Sequence, residues 1–422
     1  MPVIVLNGFQ AVKDALIDHS ADFVDRPLSP FFRDLVGGPH GVIFANGHTW
    51  KQQRRFSLMT LRNLGLGKKN LETSIQEQAR WLVETFAKER GKPMDPSVPI
   101  LSSVTNVIAA VLFGHCFSTE DNTFQQLLKG CHAMAEFQGT VWPQLYNAFP
   151  SLMKPLSPVL IRSLEALSHF HDLHGLIREE IKDHETNKLP DESQDFTDLY
   201  LSQMLKTKDD PTSTFKEHNM IQVITDLFVA GSDTTMITLY WALLYMIAHP
   251  DIQGRVQEEL DTVLGPSRMV MYEDRKSLPY TNAVIHEIQR FSSISAIGVM
   301  RRCTKDTNVQ GFSVTKGTLI FPNIFSVLYD PDEWETPRRF NPRHFLDQDG
   351  NFVHREAFLP FSAGHRVCLG EQLARMNLFI LFSSLLQAFT FQLPEGVKEI
   401  NQEQILGGIM TPHPYKTCAI RR

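Results

Sequence analysis

Cys368 lies in a segment whose residue types suit a metal ligand. The segment runs from Phe361 to Gly370, reads Phe-Ser-Ala-Gly-His-Arg-Val-Cys-Leu-Gly, and leads directly into an apolar helical pattern. A cysteine at a helix N-terminus feels the positive end of the helix dipole and the free N–H groups there, and both favour a deprotonated sulfur. Arg366 adds a cation two residues earlier. We therefore predict a thiolate that binds a metal or acts as a nucleophile; the alternative is an unreactive buried cysteine beside a turn.

The spacing of this segment resembles the haem-thiolate signature Phe-x-x-Gly-x-Arg-x-Cys-x-Gly of cytochromes P450. Every defining position is filled, by Phe361, Gly364, Arg366, Cys368 and Gly370. The resemblance implies a mainly α fold with a small β-rich region, the cytochrome P450 fold. It also implies haem b, iron protoporphyrin IX, as the cofactor, with the Cys368 thiolate as the axial ligand of its iron. The glycines would let the backbone approach this flat group closely.

A second candidate site lies inside a predicted helix at 216–247. Residues 230–235 read Ala-Gly-Ser-Asp-Thr-Thr. Glycine in a helix interior is unfavourable by about 1 kcal/mol relative to alanine, and the polar residues compete for the helix hydrogen bonds. We infer a local opening of the helix in which Asp233 and Thr234 relay protons to dioxygen. This pair resembles the acid-alcohol pair of cytochromes P450. The alternative is a packing notch at Gly231 with Asp233 and Thr234 exposed.

An acid and a base lie one helical turn apart at Glu287 and Arg290. Such a pair alone is usually a surface salt bridge worth a few tenths of a kcal/mol. Pro337-Arg-Arg-Phe340 can supply a second guanidinium, Arg339, which would complete a buried cluster. The arrangement resembles the Glu-x-x-Arg and Pro-Glu-Arg-Phe motifs of cytochromes P450. We expect this cluster to be structural and to lock the core that carries the cysteine segment.

Trp50 and Arg54 lie four residues apart and therefore on one face of a predicted helix. Their N–H groups suit a carboxylate, and a haem has two propionates. By the resemblance, Arg301 and Arg366 would complete the propionate-binding set. Arg302 remains an alternative to Arg301, and Trp50 could instead be an ordinary core indole.

Composition narrows the classes of function. The chain has 422 residues, a formal net charge of −6 and a pI near 6.2, which argue against a general nucleic-acid-binding surface. Its five cysteines are odd in number and have no paired spacing, which favours a reducing compartment over a disulfide framework. A hydrophobic content of 42% is enough for one large core.

The periodicity predicts a mostly helical body over about 48–295 and a β-rich haem-thiolate region over about 296–422. Because no linker or repeat divides the chain, we expect a single domain over 1–422. A first strand is expected at Val3–Leu6, a short helix over 9–17 and a Gly/Pro-rich loop over 26–47. The other strands are expected at 308–314, 317–321, 389–393 and 415–420. The predicted longer helices are 48–60, 70–90, 98–114, 122–138, 160–184, 216–247, 251–263, 280–292 and 371–389.

No continuous apolar run reaches the roughly 18 to 20 residues that a membrane-spanning helix needs. The chain begins abruptly in an ordered strand, which predicts a form that lacks the N-terminal membrane anchor of the family. Residues 142–160, with Phe149, Leu152 and Met153, are expected to dip into a membrane surface. The family resemblance then implies the cytosolic face of the endoplasmic reticulum membrane, in microsomes.

The motifs are most similar to those of vertebrate-type microsomal P450s of family 2. The resemblance implies a monooxygenase for xenobiotics, steroids or unsaturated fatty acids such as arachidonate, with electrons from NADPH through cytochrome P450 reductase and from cytochrome b5. The alternatives are an inactive truncated isoform and a haem-thiolate isomerase or dehydratase. Residues suggested for the apolar substrate pocket are Phe137, Phe228, Ala230, Ile297, Val299 and Ile409.

Overall fold

The structure, a computed structural model, describes residues 2–64, 69–138, 140–155, 165–186 and 195–422. It is mainly α-helical with small sheets, which confirms the predicted fold class. The chain divides into two compact units, each discontinuous in sequence. The first unit comprises Met1–Val24, Glu72–Val104 and Thr234–Arg422, and the second comprises Asp25–Leu71 and Thr105–Asp233. The single domain over 1–422 stays a prediction.

Most predicted helices are present, with ends that differ by a few residues. The start of the helix predicted at 160–184 lies outside the described residues. Asn122–Gln138 has the predicted bounds, and Pro250 and Pro279 occupy the first turns of helices, where a missing N–H costs nothing. The longer helices are α3 Gly47–Leu64, α4 Lys69–Lys88, α5 Ser97–Phe113, α6 Asn122–Gln138, α8 Glu165–Thr186, α10 Glu217–Ala248, α11 Pro250–Val263, α12 Pro279–Ser292 and α14 Glu371–Ala388.

Of the shorter helices, the one at the N-terminus was predicted over 9–17 and the others were not, among them α2, Pro30–Val36, in the expected Gly/Pro-rich loop. Helix α2 begins with a side-chain cap, in which the Ser29 hydroxyl accepts the N–H of Phe32 at 3.3 Å, and Pro30 follows at its first position. These cap residues were the available signal. The N-terminal helix is α-helical over Phe9–Lys13 and continues as a π-helix over Asp14–Asp18. The short helices are α1 Phe9–Lys13, α2 Pro30–Val36, α7 Val141–Ala148, α9 Phe196–Lys206 and α13 Ile324–Leu328.

The described strands form small sheets of two or three strands. In the largest, β1 pairs in parallel with β5, which pairs antiparallel with β2. The β3–β4 hairpin turns at Gln310 and Gly311, whose φ values are +48° and +84°, as a tight two-residue hairpin requires. Strands β2, β7 and β8 were not predicted. The strands are β1 Val3–Leu6, β2 Arg301–Arg302, β3 Thr307–Val309, β4 Phe312–Val314, β5 Leu319–Pro322, β6 Phe389–Gln392, β7 Gln404–Ile405, β8 Thr411–Pro412 and β9 Cys418–Arg421.

Apolar packing in the first unit supports the cysteine segment from both sides. One buried cluster joins the N-terminal strand and helix to Trp334, Phe345 and Ala363, and Ala363 lies inside the cysteine segment. On the other side, α14 is buried along most of its length. Since burial of a large apolar side chain contributes about 1.5–3 kcal/mol, both ends of the segment are firmly anchored.

Among the described residues, one helix is long and apolar enough to cross a membrane, namely α10. Its most apolar window has a mean hydropathy of 1.3, and 72% of that window is buried inside the protein. This burial is what a core helix shows.

Candidate active site

The cysteine segment has the geometry predicted for a thiolate ligand. Cys368 lies three residues before α14, and its side chain is exposed, whereas Cys303 and Cys418 are buried. Its backbone N–H donates to the carbonyl of Phe361 at 3.0 Å. A Cβ added at Gly370, the residue before the helix, would lie 4.0 Å from the Cys368 sulfur. The sulfur therefore lies at the N-terminal end of α14, where the helix dipole favours a negative charge.

Gly364 has a packing role that the sequence did not reveal. Its φ is +73°, and an added Cβ would lie 1.8 Å from the carbonyl oxygen of Leu16. The next residue, His365, donates its backbone N–H to the Ser20 hydroxyl at 2.7 Å. The close approach that requires glycine here is thus to the N-terminal helix of the protein itself.

Two buried arginines lie beside the cysteine segment. Arg301 is 1% exposed and Arg366 is 4% exposed. An Nη of Arg301 donates to the Ser362 hydroxyl at 3.3 Å and to the Arg366 carbonyl at 3.4 Å, and Arg366 Nε donates to the Val24 carbonyl at 2.8 Å. Arg302 follows Arg301 in β2, so its side chain points to the opposite face. Arg301, rather than Arg302, is therefore placed against the cysteine segment.

The helix that carries Asp233 and Thr234 is continuous, so the expected local opening is wrong. Helix α10 is α-helical throughout Glu217–Ala248. Gly231 is explained by packing, because an added Cβ would lie 2.7 Å from Cδ1 of Ile108. Asp233 is only 2% exposed, which differs from the alternative of an exposed acid.

One face of α10 is nevertheless accessible. Leu227, Gly231 and Thr234 are partly exposed and Ala230 is exposed, in a helix whose other described side chains are mostly buried. These positions are spaced by three and four residues and so lie on one side of the helix. Thr238 donates its hydroxyl to the carbonyl of Thr234 at 2.8 Å.

Trp50 and Arg54 lie on α3 in the second unit, one turn apart as predicted. Trp50 is 5% exposed and Arg54 is partly exposed. The helix is fixed by Gln53, whose side-chain oxygen accepts the Tyr200 hydroxyl at 2.8 Å and whose amide donates to the Thr214 carbonyl at 3.1 Å. Burial of Trp50 agrees with both the core indole and the donor interpretation.

The Glu287–Arg290 pair is present, but the predicted third member is wrong. Both side chains are 0% exposed, and Arg290 donates two hydrogen bonds of 2.7 Å to the Glu287 carboxylate. Arg339 is exposed and contributes its backbone carbonyl, which accepts from Arg290 at 3.1 Å. The remaining donors to Glu287 are the Asn341 N–H at 2.7 Å and His344 Nδ1 at 3.2 Å.

His344 therefore occupies the place assigned to Arg339. The backbone N–H of Thr336 contacts His344 Nε2 at 3.2 Å. Because an N–H can only donate, Nε2 is the acceptor and the proton lies on Nδ1, facing Glu287. The signal was available, since Pro342-Arg-His-Phe345 repeats the Pro-x-x-Phe spacing five residues after Pro337-Arg-Arg-Phe340.

The residues suggested for the substrate pocket have different environments. Phe228 is 0% exposed and packs against Phe113 with ring centroids 6.1 Å apart, so it is a core residue and not a pocket residue. Ala230, Ile297 and Val299 are exposed and Ile409 is partly exposed. The side chain of Phe137 lies outside the described part of the chain.

Two of these segments meet in the first unit. The N–H of Met410, next to Ile409, donates to the Ile294 carbonyl at 2.9 Å, and Trp241 Nε1 donates to the Met410 carbonyl at 3.0 Å. The loop after α12, the C-terminal β7–β8 region and α10 are thereby joined.

The fold is mainly α, an exposed cysteine lies at a helix N-terminus, and two buried guanidinium groups lie beside it. These groups are the donor set of a haem-thiolate protein. The family model for cytochrome P450 matches residues 1–419. The chain belongs to the cytochrome P450 family, and it is a haem-thiolate monooxygenase.

Its similar relatives are P450s of family 2. Cytochrome P450 2J5 of Mus musculus is 44% identical over 421 residues, which are 100% of this chain and 83% of that protein. Cytochrome P450 2J2 of Homo sapiens is 44% identical over 417 residues, covering 99% and 82% of the two chains. Cytochrome P450 2D6 of Pan troglodytes is 44% identical over 426 residues, covering 100% and 85%. These matches confirm the predicted resemblance to family 2.

Proposed function

We propose that this protein inserts one oxygen atom from dioxygen into small apolar substrates, of the class of xenobiotics, steroids or unsaturated fatty acids. Electrons come from NADPH through cytochrome P450 reductase, with cytochrome b5 as a further donor. The observation that carries the proposal is the exposed Cys368 at the start of α14, with the buried Arg301 and Arg366 beside its segment. Family membership and the family 2 relatives support it.

The residues present fit a haem. Cys368 would hold the iron through its thiolate, which the N-terminus of α14 stabilises. In the first unit, Arg301 and Arg366 would bind propionates. Trp50 and Arg54, in the second unit, stay predictions for this role. When bound, the haem supplies activation of dioxygen, which a thiolate ligand favours by pushing electron density toward the iron.

Asp233 and Thr234 deliver protons during the reaction. Thr234 is on the accessible face of α10, and its Oγ1 donates a proton into the reaction site. Asp233 is the neighbouring buried acid that replaces this proton. Because α10 is continuous here, the relay operates from an intact helix.

The substrate contacts the apolar side chains that remain accessible. In the first unit, Ile297, Val299 and Ile409 form this set, and none of them carries a polar group in its side chain. Such a lining holds apolar substrates by shape and offers little discrimination by hydrogen bonding.

An apolar patch on the second unit contacts the cytosolic face of the endoplasmic reticulum membrane. Five side chains on and just after α7 are 37–66% exposed, while Met153 is 8% exposed and so does not belong to the patch. Contiguous exposed apolar residues of this kind mark a membrane or protein interface. Flotation with phosphatidylcholine/phosphatidylserine vesicles should weaken for Phe149→Ser but not for Leu205→Ser, a lone exposed leucine. The patch comprises Val141, Trp142, Leu145, Phe149 and Leu152.

The deciding experiment is the difference spectrum of the reduced protein with carbon monoxide. The chain should give the red-shifted Soret band of thiolate ligation, and Cys368→Ser should lose that band. Cys116→Ser, which changes another exposed cysteine, should keep it. A red-shifted thiolate band that survives in Cys368→Ser would overturn the ligand assignment, and a wild-type chain without any haem band would favour the inactive form.

A second measurement separates the monooxygenase from an isomerase or dehydratase. Product formation from arachidonate should require NADPH, reductase and dioxygen. Thr234→Ala should slow it and increase the NADPH oxidised per product formed, because proton delivery is impaired. Turnover of a lipid hydroperoxide without reductase, unchanged in Thr234→Ala, would contradict the proposal.

A further inference from the structure

A cleft of about 760 Å³ opens in the first unit, and none of the residues that line it is assigned to the haem. Its walls are α12, the 3₁₀ turn Tyr272–Lys276, residues 351–354 and the first half of α14. The volume is within the range of roughly 300–1,000 Å³ that is typical of small-molecule sites. None of the residues that line it has a role in the proposed reaction.

Aromatic side chains form the apolar part of the cleft. Tyr272 and Phe379 contact each other edge to face, with ring centroids 6.1 Å apart. Phe352 contacts the His286 ring, with centroids 4.6 Å apart. Ring faces and edges of this kind favour a flat aromatic partner.

Gln289 supplies a buried polar group in the lining. It is 7% exposed, and in the described part of the chain its side-chain amide makes no hydrogen bond. It can donate to or accept from an occupant of the cleft.

The charged residues of the lining favour an anion. They include three cationic side chains, Arg275, Lys276 and Arg375, and one carboxylate, Glu371. Arg275 and Lys276 both pair with the exposed Glu273, and Arg275 also donates to the Tyr272 carbonyl at 2.7 Å. Since Glu273 is 63% exposed, water screens these pairs and an anionic ligand can compete with them.

His286 adds no charge to the cleft. Arg375 contacts His286 Nε2 at 2.9 Å, and a guanidinium can only donate, so Nε2 is the acceptor. Nδ1 then donates to the Asn282 carbonyl at 2.8 Å. Burial, and then the Arg375 charge, lower the pKa of His286 to about 3, which agrees with a neutral ring.

We propose that this cleft is a second binding site for a small organic anion with an aromatic body, of the aryl carboxylate class. The carboxylate pairs with Arg275 and Lys276, the ring packs on Phe352 and Phe379, and the Gln289 amide supplies a hydrogen bond. A small molecule fits better than a protein surface, because the volume of the cleft lies within the range of small-molecule sites.

The cleft lies close to the cysteine segment without being part of the haem site. The guanidinium of Arg375 is over the ring of Phe361, 5.0 Å from its centroid, and the Phe361 carbonyl accepts the N–H of Cys368. Binding in the cleft does not require haem chemistry, so the proposal is independent of the proposed function.

The test is calorimetric titration of 2-naphthoate into the haem-loaded protein. The protein is first saturated with an iron-coordinating azole, so that the ligand cannot enter the substrate pocket. Arg275→Ala and Lys276→Ala should each weaken binding about threefold to tenfold, whereas Glu273→Gln should tighten it about threefold. Lys316→Ala, which removes an exposed lysine on the β4–β5 connection, should leave affinity unchanged.

Gln289→Met provides a second, independent readout. It keeps the volume but removes the amide, so it should weaken binding about threefold to tenfold while the unfolding temperature stays equal or rises. A purely structural glutamine would lower the unfolding temperature instead. The proposal is overturned if no saturable binding occurs up to about 5 mM, if the charge variants bind like the wild type, or if the azole abolishes binding. An acidic protein that binds here without any naphthoate binding would also overturn it.

Discussion

Asp226 should control the position of the loop at residues 41–43 through a buried carboxylate. One oxygen of Asp226 accepts the backbone N–H groups of Val42 and Ile43 at 2.8 and 2.9 Å, and the other accepts from the Gln222 amide at 2.8 Å. The side chain is on α10 and is 6% exposed. Burial raises its pKa to about 6 although all three hydrogen bonds oppose that shift. The carboxylate is therefore charged at neutral pH, and this buried charge lowers the stability of the folded state.

Two substitutions separate the charge from the hydrogen bonds. Asp226→Asn keeps one oxygen for the two backbone donors, and its NH₂ group can donate to Gln222 once that amide turns over. Asp226→Leu removes every acceptor and leaves two buried N–H groups, at about 1–3 kcal/mol each. We therefore expect Asp226→Leu to be less stable than Asp226→Asn by about 2–6 kcal/mol at every pH.

The pH dependence follows from the raised pKa. Between about pH 4 and pH 6 the native state still holds the Asp226 proton, whereas the unfolded chain has lost it. The wild-type free energy of unfolding therefore falls as the pH rises from about 4 to about 6, and it is level above that. At pH 7.5 the rise of the pKa from 3.8 to about 6 lowers the free energy of unfolding by at most about 3 kcal/mol. At pH 5 this loss is about half as large. Asp226→Asn should therefore gain stability over the wild type as pH rises through this window.

The assay combines urea unfolding at pH 5 and pH 7.5 with hydrogen exchange of the peptide that contains residues 41–43. Asp226→Leu should lose amide protection in this peptide, and Asp226→Asn should retain it. Asp209→Asn, which changes an exposed carboxylate of the same unit, should alter neither quantity. Equal protection of the loop in Asp226→Leu and the wild type would refute the reasoning.

Three further predictions concern other contacts. His344→Ala should lower the free energy of unfolding by about 1–3 kcal/mol, because it removes a donor to buried Glu287. Arg339→Ala should change the free energy of unfolding by less than about 0.5 kcal/mol, because that side chain is exposed. Equal losses in the two variants, measured by thermal unfolding, would contradict this assignment. Gly364→Ala should cost at least about 2 kcal/mol and reduce haem content, since its Cβ meets the Leu16 carbonyl, while Gly254→Ala in the open on α11 should not destabilise the protein. The hydrogen bond to Asp195 raises the pKa of His184 to about 9. The stability that this pair gives the folded state is therefore complete below pH 6.5 and is lost as the pH rises through 9. His184→Gln should flatten the curve of unfolding temperature against pH between these two values.

The sequence determined the parts of this protein that depend on neighbouring residues. The Cys368 segment, the helix after it and the long helices follow from local spacing and from the 3.6-residue period, and the structure has these elements. The pairing of Glu287 with Arg290 also follows, because residues three apart meet on a helix.

Only the tertiary structure decided which distant groups meet. His344 replaced Arg339 beside Glu287 because the chain turns between them, and two Pro-x-x-Phe segments five residues apart look alike in sequence. Gly231 proved to be a packing notch and the helix stayed closed, since one contact with Ile108 explains the glycine. The burial of Asp226 and the cleft beside α12 were equally hidden. The desolvation of a group and the identity of its long-range partners are set by the packing of segments far apart in the chain, and no local pattern records them.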